Sequence, residues 1–187
     1  HFDSEFYSFK DYVITRTAKS VSNPITRNKL PFTSLRNRFC VQIISKGLWF
    51  SVGYCTSNTP SQGSQIVGKY PSFPNGAGVC GNGSVEFFRN GQHIKPKPSV
   101  STAIRDGDYL GIEMNQSCTS ITFFLNGKAV MEWELFGAEE PHEDVFPALS
   151  FNLAQVKIVP SSFMLPEFAK PNPNAKKLPS QTSAAPQ

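Results

Sequence analysis

The chain predicts an all-β antiparallel sandwich, and three observations carry that expectation. Apolar and polar residues alternate over short runs such as Phe39-Cys40-Val41-Gln42-Ile43-Ile44 and Ser120-Ile121-Thr122-Phe123-Phe124-Leu125. That is the period of a half-buried strand. Asn90-Gly91 and Asn126-Gly127 each follow such a run; Asn-Gly marks hairpins because both residues tolerate φ > 0. Glycine at 13 and proline at 15 residues punctuate the chain throughout and leave little room for long helices. Turns at spacings of about 8–12 residues or slightly more then imply roughly eight or nine short strands in a sandwich.

Taken in order, residues 1 to 12 are aromatic but irregular, as in an edge strand leading in. Val13 to Arg38 is polar and basic, and Pro24 and Pro31 break it into loop and short strands. Phe39 to Ile44 and Leu48 to Cys55, joined by Ser45-Lys46-Gly47, read as an antiparallel pair. A polar loop from Thr56 to Ser64 precedes the stretch Ile66 to Tyr70, and Pro71 to Gly83 reads as a Gly/Pro/Asn-rich run of turns. Ser84 to Arg89 is a strand. His93 to Ala103 is no central strand, because Pro96 and Pro98 lack donors. Asp106-Gly107 opens the clearest unit: strand Tyr109 to Met114, a turn at Gln116-Ser117, strand Ser120 to Leu125, the Asn126-Gly127 turn and the return Ala129 to Glu134. Ile121, Phe123 and Leu125 share one face with Thr122 and Phe124 opposite, so both faces have something to bury, as in an inner strand. Phe136 to Asp144 is an acidic loop, and Val145 to Phe151 and Gln155 to Val159 are the last strands.

At 187 residues the chain suits one domain, residues 1–165, followed by a Pro/Ser/Ala-rich disordered tail or linker, residues 166–187. The charge of +4 comes from scattered Lys and Arg. Nucleic-acid binders concentrate theirs, so no nucleic-acid partner is expected. No apolar run approaches 18 residues, so no membrane span is expected. Cys40, Cys55, Cys80 and Cys118 lack C-x-x-C spacing and lie far from His1, His93 and His142, which argues against a metal site. Reduced thiols fit a cytoplasmic or nuclear home. Two glycosylation patterns, at Asn82 and Asn115, and the absence of an initial Met keep a secreted protein, or a piece of a larger one with further domains, in view.

Three passages together resemble the SPRY domain family over roughly Val13 to Phe163. They are Phe39-Cys40-Val41-Gln42-Ile43 with Phe50-Ser51-Val52-Gly53-Tyr54-Cys55; Asp106-Gly107-Asp108-Tyr109-Leu110-Gly111-Ile112 with Ile121-Thr122-Phe123-Phe124-Leu125-Asn126-Gly127; and Val145-Phe146-Pro147-Ala148-Leu149-Ser150. Phe39-Cys40 stands where the family usually has Trp-Glu or Phe-Glu. The stretch before Phe39 lacks the motifs of the longer tripartite-motif form, so the resemblance is to the short SPRY form without a clear N-terminal PRY segment. It implies a concanavalin-like jelly roll and a non-catalytic module that recognises a short linear peptide or a protein surface through edge loops. Such modules serve as adaptors or substrate receptors, in many relatives for a ubiquitin ligase. The contact regions it implies here are Arg16, Lys19 and Asn23; Thr59, Gln62 and Tyr70; and Phe151, Asn152 and Leu153.

Binding also suits the residue inventory better than catalysis. No His is placed to activate a nucleophile, and Glu132 and Glu134 read as the solvated face of a strand around Trp133 rather than a glycosidase pair. Gly76, Gly78, Gly81 and Gly83 precede a strand and not a helix, so no phosphate loop or cofactor is expected. Trp49 and Trp133 read as packing residues. Phe151 could pack the core as readily as touch a ligand, and Asn152 could simply form a turn. A carbohydrate-binding, lectin-like sandwich is the alternative from another class, and a secreted SPRY effector would join the two readings.

Overall fold

The computed structural model describes residues 2–3, 7–16, 25–56, 75–89, 92–94, 103–135 and 143–160. Among them there are strands and no helix: β1 (Phe2–Asp3), β2 (Tyr7–Lys10), β3 (Val13–Arg16), β4 (Ile25–Asn28), β5 (Arg38–Ser45), β6 (Trp49–Thr56) and β7 (Asn75–Cys80). There follow β8 (Val85–Arg89), β9 (Gln92–Ile94), β10 (Tyr109–Met114), β11 (Ser120–Leu125), β12 (Lys128–Glu134), β13 (Val145–Asn152) and β14 (Gln155–Val159). They form two seven-stranded antiparallel sheets, β1-β4-β13-β6-β7-β8-β9 and β12-β11-β10-β5-β14-β3-β2. The expected sandwich is present, with more and shorter strands than turn spacing suggests. Residues 66–70, the Asn90-Gly91 turn and everything after residue 160 lie outside the described residues.

The core lies between the sheets. Phe50, Val52 and Tyr54 of β6, with Val79 and Phe87, meet Val41, Ile43, Ile112, Ile121 and Phe123 of the second sheet. Trp133 of β12 is half-buried and stacks on Phe87 with centroids 4.0 Å apart, while Phe123 meets the same ring edge-on at 6.0 Å. The outer face of the first sheet has its own apolar group, Cys55, Phe146 and Ala148, with the Arg27 guanidinium 4.8 Å above the Phe146 ring.

The meander β10–β11–β12 follows the expected register, from Leu110 opposite Leu125 to Met114 opposite Ile121. Asn126 and Gly127 take φ of 51° and 76°, the two left-handed residues of a tight hairpin turn. Val130 is the extra residue of a bulge, since Phe123 faces Met131 and Phe124 faces Ala129. The open edge of β12 exposes Lys128, Glu132 and Glu134, charges that oppose edge-to-edge association.

Two expectations are corrected. β5 and β6 are not paired: β5 sits between β10 and β14, and β6 between β13 and β7 in the other sheet. Alternation identifies both strands, but it cannot distinguish a hairpin from an arch that carries the chain across the core. Here Phe39, Val41 and Ile43 oppose Phe50, Val52 and Tyr54, so the arch buries both sets. Second, residues 75–80 of the Gly-rich passage form a central strand. Gly53 lies opposite Gly78, and a Cβ on Gly53 would collide with the Ala77 carbonyl. The glycines that lower strand propensity are what allow β6 and β7 this close approach.

Candidate functional site

Strand directions place the connections 45–49, 80–85, 105–109, 125–128 and 152–155 at one end of the sandwich. The arch between β5 and β6 and the turn between β13 and β14 lie against each other there. Gly47 has φ of 53°, and a Cβ on it would run into the Leu153 and Ala154 backbone. The Leu48 amide donates to the Asn152 carbonyl at 3.1 Å. Locked in this way, Leu48 and Leu153 stay 75% and 63% exposed, Leu153 at φ of 58°.

The loop before β10 stiffens the same end. The Lys46 amide donates to Asp106 Oδ1 at 2.9 Å, Gly107 N–H to the Ile43 carbonyl at 2.6 Å, and Ile43 N–H to the Asp108 carbonyl at 2.8 Å. The Arg105 amide donates to Asp108 Oδ2 at 2.7 Å, and Asn126 Nδ2 donates to Asp108 Oδ1 at 2.9 Å. A cleft of about 470 Å³ opens beside Leu48, and its walls include Lys46, Trp49, Phe50, Gly81 and Glu86. An apolar pair on fixed backbone, next to a cleft with one cation and one carboxylate, can seat an apolar side chain and orient polar groups around it.

Of the residues expected to contact a ligand, Arg16, Asn152 and Leu153 belong to this end. Phe151 is corrected: it is fully buried, because it continues the inward alternation of β13. Its ring meets Tyr7 at 4.7 Å, the Tyr7 hydroxyl donates to the Phe151 carbonyl at 3.4 Å, and the Phe151 amide donates back to that hydroxyl at 3.3 Å. Asn152 is half-buried, and its carbonyl holds the arch. Lys19, Asn23, Thr59, Gln62 and Tyr70 lie outside the described residues. Arg16 and Ile25 lie at this end, whereas Thr56 and Asn75 lie at the opposite end. Leu48 is absent from the sequence-based set, because a leucine opening a strand reads as core. The signal that could have marked it is Lys46-Gly47 before it, a turn that leaves the next side chain outside.

Burial pushes the Tyr7 phenol up to about 12, against the lowering effects of the Phe151 hydrogen bond and of Arg16; burial likewise pushes the Cys40 thiol up to about 12. Both folded values exceed the unfolded ones, so their contributions to stability are complete below the unfolded pKa and fade as pH rises toward 12. Urea unfolding should therefore show stability falling above the ordinary thiol pKa and falling more steeply above the ordinary phenol pKa. Tyr7→Phe should lessen the second fall, and an unchanged slope in that variant would refute the assignment to Tyr7.

The enzyme-like features are used structurally. Glu132 accepts from Ser120 Oγ at 3.0 Å and, like Glu134, faces solvent on an edge strand. His93, on edge strand β9, pairs with the Glu86 carboxylate and stacks on Phe88. Among the described residues no three His, Cys, Asp or Glu side chains gather as a metal-binding group, and no helix is long and apolar enough to cross a membrane. None of the four cysteines forms a disulfide, and Cys40, Cys55 and Cys80 are buried.

No protein-family model matches the sequence, and no curated protein matches it. Solved structures do. A human SPRY domain superposes with a TM-score of 0.61 at 16% identity, covering 84% of this chain and 96% of its own. The PSpry domain of TRIM65 gives 0.59 at 13% identity, covering 85% and 90%. The SPRY domain of human HERC1 gives 0.56 at 16%, covering 84% and 96%. The chain therefore has a SPRY-like fold, as the sequence motifs lead one to expect.

Proposed function

We propose that this SPRY-like sandwich is a non-catalytic interaction module that binds a short linear peptide or a protein surface at the Leu48–Leu153 end. The fold of its structural neighbours supports interaction in general; the observation that carries the specific reading is the adjacent pair of exposed leucines on backbone held by Gly47 and the Leu48–Asn152 hydrogen bond. Interfaces draw most of their energy from a few anchors presented without loss of conformational freedom. An apolar partner side chain would seat between the leucines and the Trp49 cleft, with Lys46, Arg16 and Glu86 meeting its polar neighbours. The role is that of an adaptor or substrate receptor, which includes selection of proteins for ubiquitination. Four cysteines that form no disulfide support a cytoplasmic or nuclear setting.

Peptides selected by display against the protein are expected to lose about 30-fold or more in affinity for a Leu48→Asp or Leu153→Asp variant, the loss typical of an anchor residue. Glu134→Lys, on the far edge of the second sheet, should bind as the parent does. Binding indifferent to both leucines would sink the proposed site. Saturable glycan binding without any selected peptide would replace the reading with the lectin-like one.

A further inference from the structure

A second cleft lies at the other end of the sandwich, where β5 begins. Its volume is ≈ 490 Å³, and its walls include Leu30, Phe32, Leu35, Arg36, Arg38 and Pro147. The length of β5, at about 3.3 Å per residue, sets it roughly 25 Å from the Leu48–Leu153 pair.

The connection that builds this cleft, residues 29–37, is tied down along its length. The Leu30 amide donates to Asn28 Oδ1 at 3.2 Å, and the Phe32 amide donates to the Val145 carbonyl at 2.7 Å. The Arg36 amide donates to the carbonyl and to Oγ1 of Thr33, both at 3.1 Å, and the Thr33 amide donates back to the Arg36 carbonyl at 3.2 Å. Asn37 is joined to β10 twice. Its Nδ2 donates to the Met114 carbonyl at 2.9 Å, and its carbonyl accepts from the Met114 amide at 2.8 Å. Phe32 commits its ring to the core, whereas Leu30 and Leu35 stay 53% and 94% exposed. A lone exposed leucine is ordinary, but two on the walls of one cleft mark an interaction site.

The charge of the same stretch is one-sided. Residues 27–38 contain Arg27, Lys29, Arg36 and Arg38 and no carboxylate, a charge of +4 that equals the net charge of the whole chain. Arg27 is engaged over Phe146 and, through Nη1, on the Thr56 carbonyl at 3.2 Å. Arg38 donates from Nε and Nη2 to Glu113 Oε1 at 2.9 and 2.8 Å. That contact uses two of its five N–H donors and fixes the guanidinium at the cleft. Lys29 and Arg36 are exposed and form no ion pair among the described residues.

We propose that this cleft is a second interaction surface, which takes a segment of a partner protein bearing a large apolar side chain flanked by Asp or Glu. The apolar side chain lies between Leu30 and Leu35. The carboxylates meet Arg36 and the remaining donors of Arg38, and Lys29 adds to the attraction at longer range. The uniform positive charge selects an acidic partner, and a concave site suits a protruding side chain better than a flat membrane surface.

The test is selection of a random displayed peptide library against the Leu153→Asp variant, which disables the first site and leaves this one intact. Selected peptides should carry Leu, Ile, Met or Phe flanked by Asp or Glu. Measured by fluorescence anisotropy, their affinity should fall about tenfold or more when Leu35→Ser or Arg36→Glu is added, as for anchor residues. Both side chains are exposed, so neither change disturbs the core. Leu48→Asp should leave the affinity unchanged, which keeps the outcome independent of whether the first site binds peptide. Failure to select any peptide, selection of peptides without carboxylates, or affinities indifferent to Leu35 and Arg36 would overturn the proposal. Binding to phosphatidylserine vesicles in place of peptides, lost in Arg36→Glu, would assign the surface to a membrane and overturn it. Dimerisation that Leu35→Ser abolishes would assign it to a second copy, with the same consequence.

Discussion

Phe87→Ala is expected to lower the free energy of unfolding by about 4 kcal/mol, within the range for removing a fully buried phenylalanine. Phe87 has no accessible surface, and it is where the two sheets are joined at the meander. One ring face carries Trp133 at 4.0 Å, and Phe123 meets it edge-on at 6.0 Å. Truncation removes the buried area and leaves a cavity walled by two aromatic rings, of which Phe123 sits on a strand paired on both sides, so the site cannot fully collapse. Urea unfolding with unchanged m-value measures the loss. A loss below about 1 kcal/mol would mean that the sheets are not joined at this ring. Trp133→Ala leaves Phe87 in place and should cost less, since Trp133 is only half-buried.

Asn126→Asp should cost about 2–3 kcal/mol at neutral pH, as expected for replacing a buried donor by a charge next to a like charge. Asn126 is nearly buried; its Nδ2 donates to Asp108 Oδ1, its Oδ1 accepts from the Tyr109 amide at 2.9 Å, and its own amide donates to the Tyr109 carbonyl at 2.8 Å. Aspartate keeps the acceptor and tolerates the left-handed turn, so the change isolates the lost donor and the carboxylate pair it creates. Two carboxylates sharing that site would raise the folded pKa above the unfolded one. The penalty relative to the parent should then be smallest below the ordinary carboxylate range and grow as pH rises through it. Unfolding curves for both proteins at pH 4 and pH 7 decide the matter: a difference independent of pH would mean that the carboxylates do not face each other.

The meander was legible because its cues are local: Asp106-Gly107, Asn126-Gly127 and the alternation of Ile121, Phe123 and Leu125 each act within a few residues. The sheet assignments of β5 and β6 were not, because identical alternation serves a hairpin and an arch, and only the distant partners β10 and β13 distinguish them. β7 was hidden by Gly76 and Gly78, whose use becomes visible only with Gly53 opposite. Leu153 could be placed on a turn from its position between two strands. Leu48 and the burial of Phe151 depend on how that turn meets the arch, which is a contact between residues about a hundred positions apart.

The separation of β6 from β13 also bears on how the chain emerges during synthesis. β6 finds β7 after a modest delay, but its other edge waits for β13, whose Val145 to Asn152 lie opposite Thr56 to Trp49. With roughly ninety intervening residues added at about 5–20 per second, that edge is open for some five to twenty seconds. For that interval a strand bearing Phe50, Val52 and Tyr54 has an unfilled hydrogen-bonding side, the condition that favours pairing with a neighbouring nascent chain. Slower translation after β7 would lengthen the exposure, and yield in the cell would then depend on elongation rate and chaperone supply even where the finished sandwich is stable.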